Sequence, residues 1–122
     1  MTETKYRGFT VAELIVVIAV IGILAAVGIF SYGSWRKSLS TKEVTQSLTS
    51  LVAGMDAEKN FKGAYPTTGT GLPSGFNASS GVTITKMSGT TTTYCVRGVS
   101  AVHSDVILYV SQAQTTPSAT TC

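Results

Sequence analysis

Glu13 places a carboxylate at the front of a long apolar run. Inside a membrane helix an ionised carboxylate costs about 2.5–3.5 kcal/mol at mid-bilayer and less near the headgroups. It must therefore either reach back to the polar boundary or meet a cationic partner. Cys95 and Cys122 lie too far apart for a short metal-binding pattern. They are two free thiols or, in an oxidising compartment, one disulfide. Such a bond would close a loop of about 28 residues and add roughly 3 kcal/mol. His103-Ser104-Asp105 offers the residue types of a hydrolytic triad, but neighbours in sequence are not a triad in space, and the stretch reads as a polar turn. Asp105 stands alone, so nothing indicates a calcium site, which needs several oxygen ligands. Asn77-Ala78-Ser79 fits the N-glycosylation sequon, a short pattern that often arises by chance. No cofactor is expected.

These residues sit on a chain of 122 residues, enough for one domain. Leu14–Phe30 reads LIVVIAVIGILAAVGIF, without a charge. As a helix it spans about 25 Å, and about 33 Å when extended back to Phe9, which crosses a bilayer core. Tyr32 and Trp35 would lie at the water–lipid boundary, with Tyr6 mirroring them. Lys5 and Arg7 precede the run while Arg36 and Lys37 follow it, so the positive-inside rule does not orient it. The cysteines place the C-terminal part outside. Gly22 and Ala26 form a small-xxx-small pair, read equally well as ordinary tolerance of small residues. The net charge is +3, and no stretch interleaves Lys or Arg with aromatics, so a nucleic-acid surface is not indicated.

From Ser40 onward Val44, Leu48, Leu51, Val52 and Met55 mark one buried face of a helix, with Phe61 expected to pack near its end. Gly63 and Pro66 stop it. An unbroken helix over 9–62 would be about 80 Å long, with Gly22, Gly28 and Gly33 the places for it to bend or loosen. Residues 63–81 form a Gly- and Pro-rich loop. Val82–Met87, Thr91–Gly98 and Val106–Ser111 are β-prone, and a three- or four-stranded antiparallel sheet on the amphipathic helix is the economical arrangement, an α+β fold. The tail 112–122 would be loose unless Cys122 pins it.

Taken in order, a short basic leader ending in Gly8, then Phe9-Thr10-Val11-Ala12-Glu13, then the apolar run, resembles the class III signal of type IV prepilins and pseudopilins. The resemblance covers about 30 residues and is far more specific than any of its parts. It implies a leader 1–8, a filament-core helix 9–33 and a globular head 34–122. A prepilin peptidase would cut between Gly8 and Phe9, a site where a residue without a side chain admits close backbone approach. The new amine of Phe9 would be N-methylated. Glu13, one helical turn from Phe9, would pair with that amine in its own or a neighbouring subunit and set the register between subunits. Gly22 matches a helix-loosening position, whereas Phe30 stands where many pilins carry Pro, leaving Gly28 as the substitute. Ala64-Tyr65-Pro66-Thr67 is similar to the start of the pilin loop, and Cys95 and Cys122 to the disulfide bounding a variable loop.

The expected function is that of a non-enzymatic pilus subunit for surface adhesion and motility. It would be held in the cytoplasmic membrane with its N-terminus inside, then in a cell-surface filament. Partners would be its own copies, prepilin peptidase, an assembly platform, a separate motor ATPase and, before assembly, the membrane. DNA is a further partner class that no basic patch indicates. Within the family, a minor pilin, a competence pilin or a type II secretion pseudopilin is the alternative. Outside it stand a membrane-tethered binding domain that never polymerises, and a soluble protein released by ordinary signal cleavage near Ala26 or Gly28.

Overall fold

A computed structural model describes residues 7–122. Most of the expected leader, with Lys5 and Tyr6, lies outside the described residues. The element order is a helix α1 (Val11–Lys62), then strands β1 (Val82–Gly89), β2 (Tyr94–Ser100) and β3 (Ile107–Ser111). The chain divides into two compact units, one ending at Trp35 and the other comprising Arg36–Cys122.

In the first unit α1 runs through Gly22, Gly28 and Gly33 without a break. A side chain at any of these glycines would meet open space. The apolar residues are exposed all round the helix, and none of its most hydrophobic stretch is buried. Tyr32 and Trp35 meet with ring centroids 6.0 Å apart.

In the second unit the same helix buries one stripe, Ser40, Val44, Ser47, Leu48, Leu51, Val52 and Met55. The 3.6-residue period places these side chains on a single face. Phe61 does not join them. It falls off the Val44–Met55 stripe and is 90% exposed, so the expected packing near the helix end is corrected. The helix stops where Gly63 turns to φ 76° and its amide caps the Lys59 carbonyl at 2.8 Å, a conformation glycine adopts without strain.

The sheet is antiparallel with order β1-β2-β3. Along β2 burial alternates strictly, turning Tyr94, Val96, Gly98 and Ser100 towards the core. Val82, Val96, Val106 and Val110 close the core against the α1 stripe. Gly98 sets the distance of approach: a Cβ there would stand 3.0 Å from Val44 Cγ1 and 3.1 Å from Leu48 Cγ. β2 begins at Tyr94 rather than at Thr91. The Thr90 hydroxyl accepts the amides of Thr92 and Thr93, both at 3.2 Å, and this local turn removes the threonines from the ladder. The register slips between Lys86 and Ser88, so Met87 is bulged outward.

Side chains fasten the loop 63–81 to the head. Lys86 Nζ donates to the Pro66 carbonyl at 2.6 Å, its stem lying against Gly71 and Gly89. Tyr65 is buried edge-on to Tyr94 with centroids 4.8 Å apart, and Lys59 caps its ring at 4.7 Å. The Ser74 hydroxyl and amide donate to Glu58 Oε1 at 2.7 and 3.2 Å, and Lys62 donates to the same oxygen at 3.0 Å. Those bonds, the Ser74 hydroxyl foremost, hold the Glu58 carboxyl down at about 2.

Gly98→Ala should lower stability by about 1–3 kcal/mol through overpacking, whereas Phe61→Ala should change it by less than about 0.5 kcal/mol. Urea unfolding followed by circular dichroism checks both. The folded Glu58 carboxyl lies below its unfolded value, so its tether is at full strength above the ordinary carboxylate range of about 4.3 and is lost as pH falls towards 2. The protection factor of the Ser74 amide should fall across that window.

Candidate processing and assembly site

The segment Gly8–Thr10 is non-helical and exposed, and α1 begins at Val11. The first amides of a helix have no partner within it, so they must find one elsewhere. Here Thr10 and Glu13 supply partners reciprocally. The Glu13 amide donates to Thr10 Oγ1 at 3.2 Å, and the Thr10 amide donates to Glu13 Oε2 at 2.9 Å. This is a capping box, with Thr10 as N-cap and Glu13 three residues on. A carboxylate in the first turn also faces the positive end of the helix dipole.

The geometry adds a function to Glu13 that charge alone did not indicate, and it brings in Thr10. The signal was present as Thr-x-x-Glu ahead of an apolar run. Among the described residues only Oε2 of Glu13 is engaged, leaving Oε1 available to a cation. Phe9, Ala12, Glu13, Val16 and Val17 line one shallow, mostly apolar groove, so Phe9 and Glu13 share a surface. A cut before Phe9 would expose an amine one residue ahead of the cap.

The other candidate residues do not converge on it. Cys95 and Cys122 form a disulfide with Cα atoms 6.0 Å apart. The tail is fixed by that bond and by a bridge in which the Tyr109 amide donates to the Ser118 carbonyl at 2.8 Å. His103 and Asp105 turn to different partners on α1: His103 Nδ1 lies 2.9 Å from Ser40 Oγ, and Asp105 pairs with Lys37. They form no triad. Asn77 is exposed on the loop, while Ser79 is tied to Ser47, its amide donating to Ser47 Oγ at 3.3 Å. Among the described residues no group of three or more His, Cys, Asp or Glu could hold a metal ion.

Residues 4–29 match the prokaryotic N-terminal methylation motif, which spans Gly8, Phe9, the capping box and the apolar helix. Over that segment the chain is similar to proteins that carry this methylation motif. The chain is 32% identical over 68 residues to the type II secretion system core protein G of Klebsiella pneumoniae, covering 56% of this chain and 49% of that protein. Against the core protein G of Escherichia coli K12 the identity is 33% over 70 residues, covering 57% and 48%. Against that of Dickeya chrysanthemi it is 30% over 70 residues, covering 57% and 46%. The chain thus spans about half the length of the curated relatives it matches.

Thr10→Val should uncouple the box, costing about 1 kcal/mol locally. Amide exchange at Val11–Glu13 should accelerate, while exchange along β2 stays unchanged.

Proposed function

We propose that this chain is a pseudopilin-type subunit of a secretion-system filament, made as a precursor, cut after Gly8 and polymerised through its N-terminal helix. The observation that carries the proposal is the pairing of a capped, non-helical Gly8-Phe9-Thr10 start with an apolar helix that the described residues leave uncovered. Burial of that surface is worth about 25 cal/mol per Å², and only lipid or sister helices can supply it. The relatives matched are secretion-system core proteins, and this favours the secretion reading over a pilus serving adhesion and motility, which shares the same motif and fold.

In this reading residues 1–8 are the leader, 9–33 the core helix and 34–122 the head. The Phe9 amine, once methylated, approaches the free oxygen of a neighbour's Glu13 and sets subunit register. Before assembly the helix anchors the subunit in the cytoplasmic membrane. Gly22 and Gly28 are the positions where it loosens on leaving lipid. Prepilin peptidase, the assembly platform and its motor ATPase are the partners that such processing and export require.

Mass spectrometry of filament material sheared from cells should give a mature chain starting at Phe9 with a methylated amine. Glu13→Leu should leave the processed subunit in the membrane and remove it from the sheared fraction. An N-terminus beyond Ala26 would replace this reading by ordinary signal cleavage. Polymerisation of the Glu13→Leu chain at wild-type yield would remove Glu13 from subunit registration.

A further inference from the structure

The two edges of the sheet are closed in different ways. An open strand edge presents unpaired amides and carbonyls that template pairing with another chain, and bulges or inward-pointing charges blunt it. β1 carries both devices: the register slips between Lys86 and Ser88, and the Lys86 side chain turns in to the Pro66 carbonyl. β3 has an unbroken register and no such charge. Val106–Ser111 reads VILYVS, six residues without a charge, proline or glycine, a composition prone to strand-to-strand association. The tail covers this edge instead. The Tyr109 amide donates to the Ser118 carbonyl at 2.8 Å, and the Ser118 amide donates to the Tyr109 carbonyl at 3.2 Å. The Ser111 and Gln114 amides donate to each other's carbonyls at 2.9 and 3.2 Å. No side chain of 112–122 joins the hydrophobic core, so apolar burial does not hold the cover in place. The disulfide from exposed Cys122 to Cys95 on β2 does.

We propose that the Cys95–Cys122 disulfide is an edge lock. Closed, it keeps the tail over β3; open, it exposes β3 as a pairing surface for β3 of a second copy of this chain. The tail shows what the edge accepts, because Ser118 occupies it as an antiparallel partner. A second copy fits the same place. β3 has no charge with which to repel itself, and two identical strands pair antiparallel about a two-fold axis, an isologous contact that closes at two chains. Centred on Tyr109, such a pair re-bonds the amide and carbonyl released from Ser118 to the same groups of Tyr109 in the second copy. Closing the lock is an oxidation. The Cys95 and Cys122 thiols give up two protons and two electrons as the Sγ–Sγ bond forms, and a disulfide-bearing oxidant takes them up and leaves as a dithiol. Chains that have not completed this exchange pair through β3, so the bond governs association as well as stability.

The test compares the full chain in detergent micelles, disulfide closed, with its Cys122→Ser variant. Amide exchange separates the β3 edge from the rest of the sheet, and sedimentation gives the protein mass per particle. At low concentration the Tyr109 amide of Cys122→Ser should exchange at least about tenfold faster than in the closed chain, while Val96 on the central strand stays protected. Raising the concentration should restore that protection and double the protein mass relative to the closed chain in the same detergent. Adding Tyr109→Lys to Cys122→Ser should abolish the doubling, whereas Asn77→Lys, the same charge on the exposed loop, should not. A Tyr109 amide that stays protected in dilute Cys122→Ser overturns the lock, since the tail then holds without its bond. Loss of protection at Val96 as well assigns the bond to the stability of the whole head and overturns the proposal. An edge that opens without doubling, or a doubling that survives Tyr109→Lys, overturns the second copy as its occupant.

Discussion

An apolar helix exposed on every side has no stable place in water, and the N-terminal unit is such a helix. Its leucines, isoleucines and valines stand about half or more exposed, and among the described residues of that unit nothing folds back over them. At about 25 cal/mol per Å² the penalty is far larger than the few kcal/mol by which a small domain is stable. Everything else about the chain has to be compatible with an environment that covers this surface. That is why its front end caps itself, and why its polar domain is confined to the residues after Trp35.

The head achieves stability on a small scale by other means. Its core is a handful of valines, two leucines, a methionine and two tyrosines between one helix face and a three-stranded sheet. Close approach at Gly98 lets helix and sheet meet with little void, and the Cys95–Cys122 bond ties the tail to β2. The long loop 63–81 has no ladder of its own, so its backbone is held by side chains reaching across: Lys86 to Pro66, Glu58 to Ser74, Ser47 to Ser79. Small domains commonly need such staples because their cores are limited.

Much of this was legible in residue order because local physics dictates it. The buried stripe from Val44 to Met55, the stop at Gly63 and the start of β1 at Val82 follow from periodicity and turn chemistry. Phe61 was misread because hydrophobicity was given weight over phase; its position on the helix, not its side chain, decides its exposure. The start of β2 was misread because threonine favours strands, whereas Thr90 also captures nearby amides with its hydroxyl. Thr10 was missed because the charge of Glu13 drew the reading, although both residues belong to one capping pattern. The loop tethers were illegible, since each joins residues that are distant in sequence and ordinary in type.

The capping box also decides what a protease would meet at this end of the chain. Peptidases bind their substrates extended, and a scissile bond inside a helix must first be unwound. Because Thr10 closes the helix and Glu13 locks that closure, the Gly8–Phe9 bond lies just outside the hydrogen-bonded turns. Cutting it would break no helical hydrogen bond, and the helix would keep the same first turn on both sides of the event. Precursor and product would then differ by a leader and a charge, not by a fold.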